Sequence, residues 1–98
     1  MVSVTIPGNR IVSELELHRF LARELDLGPY YGKNLDALWD RLTTDVERPV
    51  YLVWVDAAKS REGMGEDLFD KIVDLLRKVA AKDVEAGYKD RFNVEIRE

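Results

Sequence analysis

Asp36 and Asp40 stand one helical turn apart in the run Tyr30-Tyr31-Gly32-Lys33-Asn34-Leu35-Asp36-Ala37-Leu38-Trp39-Asp40, directly after two tyrosines and a glycine. Two chemistries are open to carboxylates at that spacing. They could work as an acid and a base, as in glycoside hydrolysis, or they could hold fixed negative charge toward a cationic partner. The first needs a pocket that drives the two pKa values apart, which neighbouring carboxylates on an exposed helix lack. The rest of the chain adds no glycine-rich phosphate loop, no metal-ligand cluster and no nucleophile motif. Its one histidine, His18, falls inside an expected helix and reads as a surface or half-buried structural residue. The residues alone leave two readings open, an ordinary solvated helix face and a partner-binding surface, and neither implies enzyme activity or a cofactor.

For the two acids to share a face, residues 34 to about 45 must be helical. Asn34 supplies an N-cap, and Leu35, Leu38, Trp39, Leu42 and Val46 fall at helical spacing on one apolar face. At about 100° per residue, Asp36, Asp40 and Thr43 gather on the flank beside that face, with Trp39 at the border. Like charges at this spacing repel by roughly 0.2–0.5 kcal/mol. Asp36 recovers part of that near the positive end of the helix dipole. Asp40 sits too far in to do so, and Arg41 points elsewhere. A purely structural reading competes at each position, since acids on a solvated face are ordinary and Trp39 could be plain core. Of the adjacent tyrosines, one is expected inward and one outward as a rigid anchor. Gly32 is expected to supply the tight turn into the helix.

The surrounding elements follow from periodicity and turn chemistry. Val2 to Ile6 alternates and is rich in β-branched residues, then stops at Pro7-Gly8-Asn9: a strand and a turn. Ser13 opens a helix with Glu16 completing a capping box and Val12 and Leu17 placed as a hydrophobic staple. Leu17, Phe20, Leu21 and Leu25 form its buried stripe, and Gly28-Pro29 is expected to end it. Residues 50–55 are apolar on both parities, as expected of a central strand buried on both faces. Residues 57–65 are polar, contain Gly63 and Gly65, and read as a loop. A long helix from about Glu66 to Glu85 follows, with Leu68, Ile72, Leu75, Leu76 and Val79 inward, closed by Gly87. Residues 91–96 alternate as a last strand. The expected fold is α/β: a small three-stranded parallel sheet packed with three to four helices, forming one domain over residues 1–98.

At 46% hydrophobic residues the 98-residue chain can bury a real core. No apolar stretch approaches the roughly 20 residues that span a bilayer. The start, Met1-Val2-Ser3-Val4, lacks the charged and apolar regions of a signal peptide. Without cysteine, neither disulfides nor a zinc–thiolate site can form, and a cytoplasmic location is expected. A net charge of −4 disfavours direct nucleic-acid binding, which needs Lys and Arg to neutralise phosphates.

The run from Tyr30 to Asp40, continued by Leu42-Thr43, resembles the signature of the barstar family, small proteins that inhibit secreted guanyl-specific ribonucleases. The likeness extends through Glu14-Leu15-Glu16-Leu17-His18, Arg23-Glu24-Leu25-Asp26-Leu27 and Val46-Glu47-Arg48-Pro49, and through the order of elements over nearly the whole chain. It implies a 1:1 plug in the active site of a small secreted microbial ribonuclease. Asp40 would take the place of the scissile phosphate among the catalytic Arg, Lys and His groups, and Asp36 would pair with donors on the guanine-binding side. Tyr30, with Tyr31 beside it in the turn, would stack against the catalytic histidine region. Asn34, Trp39 and Thr43 would add neighbouring contacts, and Gly32 would set the approach of the loop. The alternative is a barstar-like interaction or immunity domain that binds a toxin-type nuclease or a non-nuclease partner. Lys33 and Arg41 depart from the best-known member by placing positive charge beside the acids. Thr44-Asp45 replaces a glycine and a tryptophan of that member. Lys78 and Lys82 fall roughly where acidic interface residues would be expected, and the segment Asp83–Asp90 is longer. These departures bear on which nuclease is bound.

Overall fold

Three runs of β-branched and aromatic residues pair as one parallel sheet in the computed structural model, which describes residues 1–98. They are β1 (Val2–Pro7), β2 (Val50–Val55) and β3 (Phe92–Ile96), in the order β1-β2-β3. Val4 lies opposite Leu52 and Leu52 opposite Val94. Four helices complete the chain: α1 (Glu14–Glu24), α2 (Leu35–Thr44), α3 (Ala57–Met64) and α4 (Glu66–Glu85). The α/β class and the parallel sheet are as the sequence implies. Twenty buried apolar residues from all three strands and all four helices form one hydrophobic cluster.

β2 does not bury both of its faces. Val50, Leu52 and Trp54 are buried, but Tyr51 is exposed and Val53 and Val55 are only half-buried. The register explains this: Val53 is flanked by Thr5 on one side and Glu95 on the other, so the outer face carries polar neighbours that keep it wet.

The N-terminus of α1 forms as the capping box predicts. Glu16 N–H donates to Ser13 Oγ at 3.2 Å, and Ser13 Oγ donates to Glu16 Oε1 at 3.0 Å. The carboxylate also accepts from the Val12 N–H at 3.3 Å, one residue before the N-cap Ser13, where a standard capping box would take the N-cap N–H. The other end differs from expectation. Asp26, at φ 53°, takes the left-handed cap position, and Leu27 N–H reaches Ala22 O at 3.0 Å. Aspartate tolerates that conformation, so the helix stops before Gly28 is reached.

Residues 57–64 form α3 where the sequence reads as a loop. Tertiary contacts outweigh the local signal here. Ala57 and Ser60 are fully buried, and Ala57 N–H donates to Arg97 O at 3.0 Å. Trp54 Nε1–H donates to Ser60 Oγ at 2.9 Å, and Ser60 donates onward to Gly8 O at 3.0 Å. Gly63 lets the helix lie against Val12, where an added Cβ would come within 2.4 Å of the Val12 Cβ.

α4 spans Glu66–Glu85 as expected, but its inward stripe is Phe69, Ile72, Val73, Leu76 and Val79, with Asp83 buried at its end. Leu68 and Leu75 are only partly covered. Gly87 closes the helix at φ 75°, with Tyr88 N–H donating to Asp83 O at 3.1 Å. The Asp83 carboxylate accepts from Arg48 Nε at 2.8 Å and from Phe92 N–H at 2.7 Å, joining the segment before β2, the end of α4 and the start of β3. The Arg48–Pro49 peptide bond in that segment is cis.

Candidate partner-binding face

α2 is fixed at its start by Asn34, whose side chain accepts from Ala37 N–H at 2.8 Å. Leu38 and Leu42, both fully buried, anchor its inner side. These contacts leave Asp36 and Asp40 exposed on the outer side, as the helical spacing requires. Neither acid takes part in any ion pair of the molecule. Arg41, the cation within the helix, is held by Asp45 at 2.8 Å. The negative charge of this face is therefore not neutralised from within.

Thr43 is half-buried, and its hydroxyl donates to Trp39 O at 2.8 Å; Thr44 likewise donates to Asp40 O at 2.6 Å. The Thr43 oxygen retains acceptor capacity, while its proton serves the helix. Trp39 is half-buried and packs against the core, so the border position assigned from the sequence holds.

The preceding turn separates the two tyrosines. Tyr30 is 89% exposed and Tyr31 only 5%. Tyr31, expected among the contact residues, instead lies inside the fold with its hydroxyl 2.5 Å from His18 Nδ1. His18 Nε2 in turn meets Glu14 Oε2 at 2.9 Å. Burial, reinforced by the Glu14 charge, pushes the Tyr31 phenol well above its ordinary value and keeps it protonated. For a neutral imidazole, all three groups are satisfied when the phenol donates to Nδ1 and Nε2–H donates to the carboxylate.

His18 is thus neither a surface nor a half-buried residue: it is fully buried and buttresses the turn that displays Tyr30. A signal for this was available. His18 lies three residues before Leu21 and seven before Leu25, on the same helical stripe, with Glu14 one turn back. Gly32 also acts differently from expectation. The left-handed residue of the turn is Lys33, at φ 51°. At Gly32 an added Cβ would come 3.3 Å from Ala37 Cβ and 3.4 Å from Asn34 Nδ2, so glycine there gives room for the cap.

Between α2 and α4 lies an open trough of about 290 Å³, lined by Leu35, Asp36, Trp39, Lys71, Asp74, Leu75 and Lys78. It adjoins the acidic face through Asp36 and Trp39, and no feature of the sequence alone announces it. No group of three or more His, Asp and Glu side chains is arranged to hold a metal ion. No helix is long and apolar enough to cross a membrane.

Fold and face together define a small parallel α/β protein that presents unpaired carboxylates on a rigid helix beside an exposed tyrosine. The family model for Barstar (barnase inhibitor) matches residues 1–97, and the chain belongs to that family. It is 32% identical over 96 residues to the Bacillus subtilis (strain 168) protein named "Putative ribonuclease inhibitor YrdF", a match that covers 98% of this chain and 99% of that one.

Proposed function

We propose that this protein inhibits a small secreted guanyl-specific ribonuclease by seating α2 and the Tyr30–Gly32 turn in the enzyme's active site as a 1:1 complex, in the cytoplasm of the producing cell. Family membership and the name of the Bacillus subtilis relative support the class of function. The observation that carries the mechanism is the pair of exposed carboxylates, Asp36 and Asp40, without an internal counter-charge.

A ribonuclease must keep a cationic cleft to hold a phosphate. A carboxylate fixed on a capped, core-anchored helix can occupy that place with little reorganisation, and it offers no phosphodiester to cleave. Asp40 takes the phosphate position and Asp36 pairs with donors on the base-binding side. Tyr30 provides a rigid aromatic contact whose ordering costs little entropy. Complementary charge also speeds encounter, which suits protection of a cell from its own enzyme.

Titrating the purified protein into a panel of small guanyl-specific ribonucleases while following RNA cleavage tests this. Inhibition that saturates at one equivalent supports the reading, and cleavage unaffected across the panel contradicts it. One observation favours a second reading: Lys33, exposed and in no ion pair, sets positive charge beside the acids, which suits a toxin-type nuclease whose active-site rim is less basic. Including such nucleases in the panel separates the two.

A further inference from the structure

The turn that displays Tyr30 has almost nothing of its own to hold its shape. Residues 28–33 enter no backbone–backbone hydrogen bond, and the one bond within the turn is a long contact from Asn34 Nδ2 to Gly32 O at 3.4 Å. Lys33 is held at φ 51°, a left-handed conformation that a lysine does not favour by itself. Of residues 28–34, only Tyr31 is buried; the others are exposed. The segment is therefore placed by its two ends and by one side chain between them. That side chain ends on His18. The Tyr31 hydroxyl lies 2.5 Å from Nδ1, and the two rings meet edge to face with centroids 5.6 Å apart. His18 Nε2 is fixed in turn by Glu14 at 2.9 Å, in the first turn of α1.

We infer, given the inhibitor reading, that His18 is a positioning residue for inhibition: oriented by Glu14, it fixes Tyr31 and so presents Tyr30 to the ribonuclease already in place. His18 is fully buried and acts without touching the enzyme. A residue needed only for core volume could be any apolar side chain of that size. Histidine adds direction. The phenol donates to Nδ1 and Nε2–H donates to the carboxylate, so each polar atom has one partner and the ring one orientation. A leucine in its place would fill similar space but leave the Tyr31 hydroxyl buried without an acceptor, which is costly. The turn would then leave its single conformation, having no backbone ladder to restore it. An enzyme binding such a turn must order it, and that entropic cost is met in advance when the turn is fixed. The bond spans 13 residues, running from a helix start that is itself locked by the Ser13–Glu16 capping box. Recognition at the surface is thereby set from inside the fold.

The test measures inhibition of the ribonuclease that the wild type inhibits best, using His18→Leu, His18→Asn, Tyr30→Ala and the combination of His18→Leu with Tyr30→Ala. All are compared in buffer where circular dichroism shows each protein folded. His18→Leu is expected to weaken inhibition about tenfold, the scale of one hydrogen bond. In the Tyr30→Ala background the same change is expected to cost less than about twofold, because the ring it positions is gone. His18→Asn keeps an acceptor near the Nδ1 position and is expected to recover part of the loss. An equal loss in both backgrounds, an Asn variant no better than Leu, or unchanged inhibition by folded His18→Leu overturns the inference and leaves the inhibitor reading standing. Absence of inhibition by the wild type overturns both. A second measurement needs neither variant nor enzyme. In 15N relaxation of the free wild-type protein, residues 30–34 are expected to show order parameters of about 0.85, like the helices, despite their lack of backbone bonding. Values below about 0.6 would show that the buried chain does not fix the turn.

Discussion

Asp40 and Tyr31 illustrate two opposite uses of a polar side chain in this protein. Asp40 is left exposed and without an ion pair, so its charge is available to a partner and its removal should cost the fold little. Tyr31 is buried, and its hydroxyl is consumed by His18 inside a Glu14–His18–Tyr31 chain. Tyr31→Phe leaves the His18 ring nitrogen buried without its partner, and should destabilise the protein by about 1–3 kcal/mol, read as a lower urea midpoint. Tyr30→Ala, one position away, should leave that midpoint within about 0.5 kcal/mol of wild type and weaken inhibition instead. If both variants lowered stability alike, the division of labour within the turn would be wrong. The exposed acids were legible in the sequence because helical spacing alone places them. The identity of the inward tyrosine was not, since it depends on a contact with His18 across 13 residues of chain.

α2 is short, ten residues, and a helix of that length depends on its cap and on its packing. Asn34 supplies the cap, so Asn34→Ala should cost about 1 kcal/mol in urea unfolding with an unchanged m-value. Because the same helix start orients Asp36, inhibition by this variant should weaken as well; full affinity would mean that the enzyme itself can order the turn. Capping signals made α1, α2 and α4 readable in advance. α3 was not readable, because what makes it a helix is distant: a buried serine between Trp54 and Gly8, and a glycine pressed against Val12. The buried stripe of α4 departs from the one its periodicity predicts for a related reason. Leu68 and Leu75 match the helical period as well as Phe69 and Val73 do, and only the position of the sheet decides between them.

Across the whole molecule, Asp83 is the joint that ties α4 and β3 to the chain entering β2. Burial alone would raise the Asp83 pKa, but hydrogen bonds from Arg48 and the Phe92 N–H, with the charges of Arg48 and Lys82, outweigh it and hold the carboxyl below its ordinary value of 3.8. A group depressed in the folded state stabilises fully above its unfolded value. That contribution disappears as pH falls from there through the lower native value. Asp83→Asn should therefore destabilise the protein by about 3–5 kcal/mol at neutral pH, because Arg48 is left partly buried and unpaired. It should also flatten the stability loss that the wild type shows below about pH 4. Equal acid limbs for the two proteins would remove Asp83 from that role. The parallel sheet and its α/β class could be read from the sequence, but this joint could not, since Arg48 and Asp83 are 35 residues apart and share no local pattern. The trough beside α2 was hidden for the same reason, being a product of two helices that the chain brings together only when folded.

The most direct measurement is the inhibition constant of the wild-type protein and of Asp40→Ala for the same small guanyl-specific ribonuclease, with folding of both verified. The expected result is tight inhibition by the wild type and a loss of about 2–5 kcal/mol in the variant, at unchanged stability. A folded Asp40→Ala protein that inhibits as well as the wild type would contradict the assignment of α2 as the phosphate-mimicking plug.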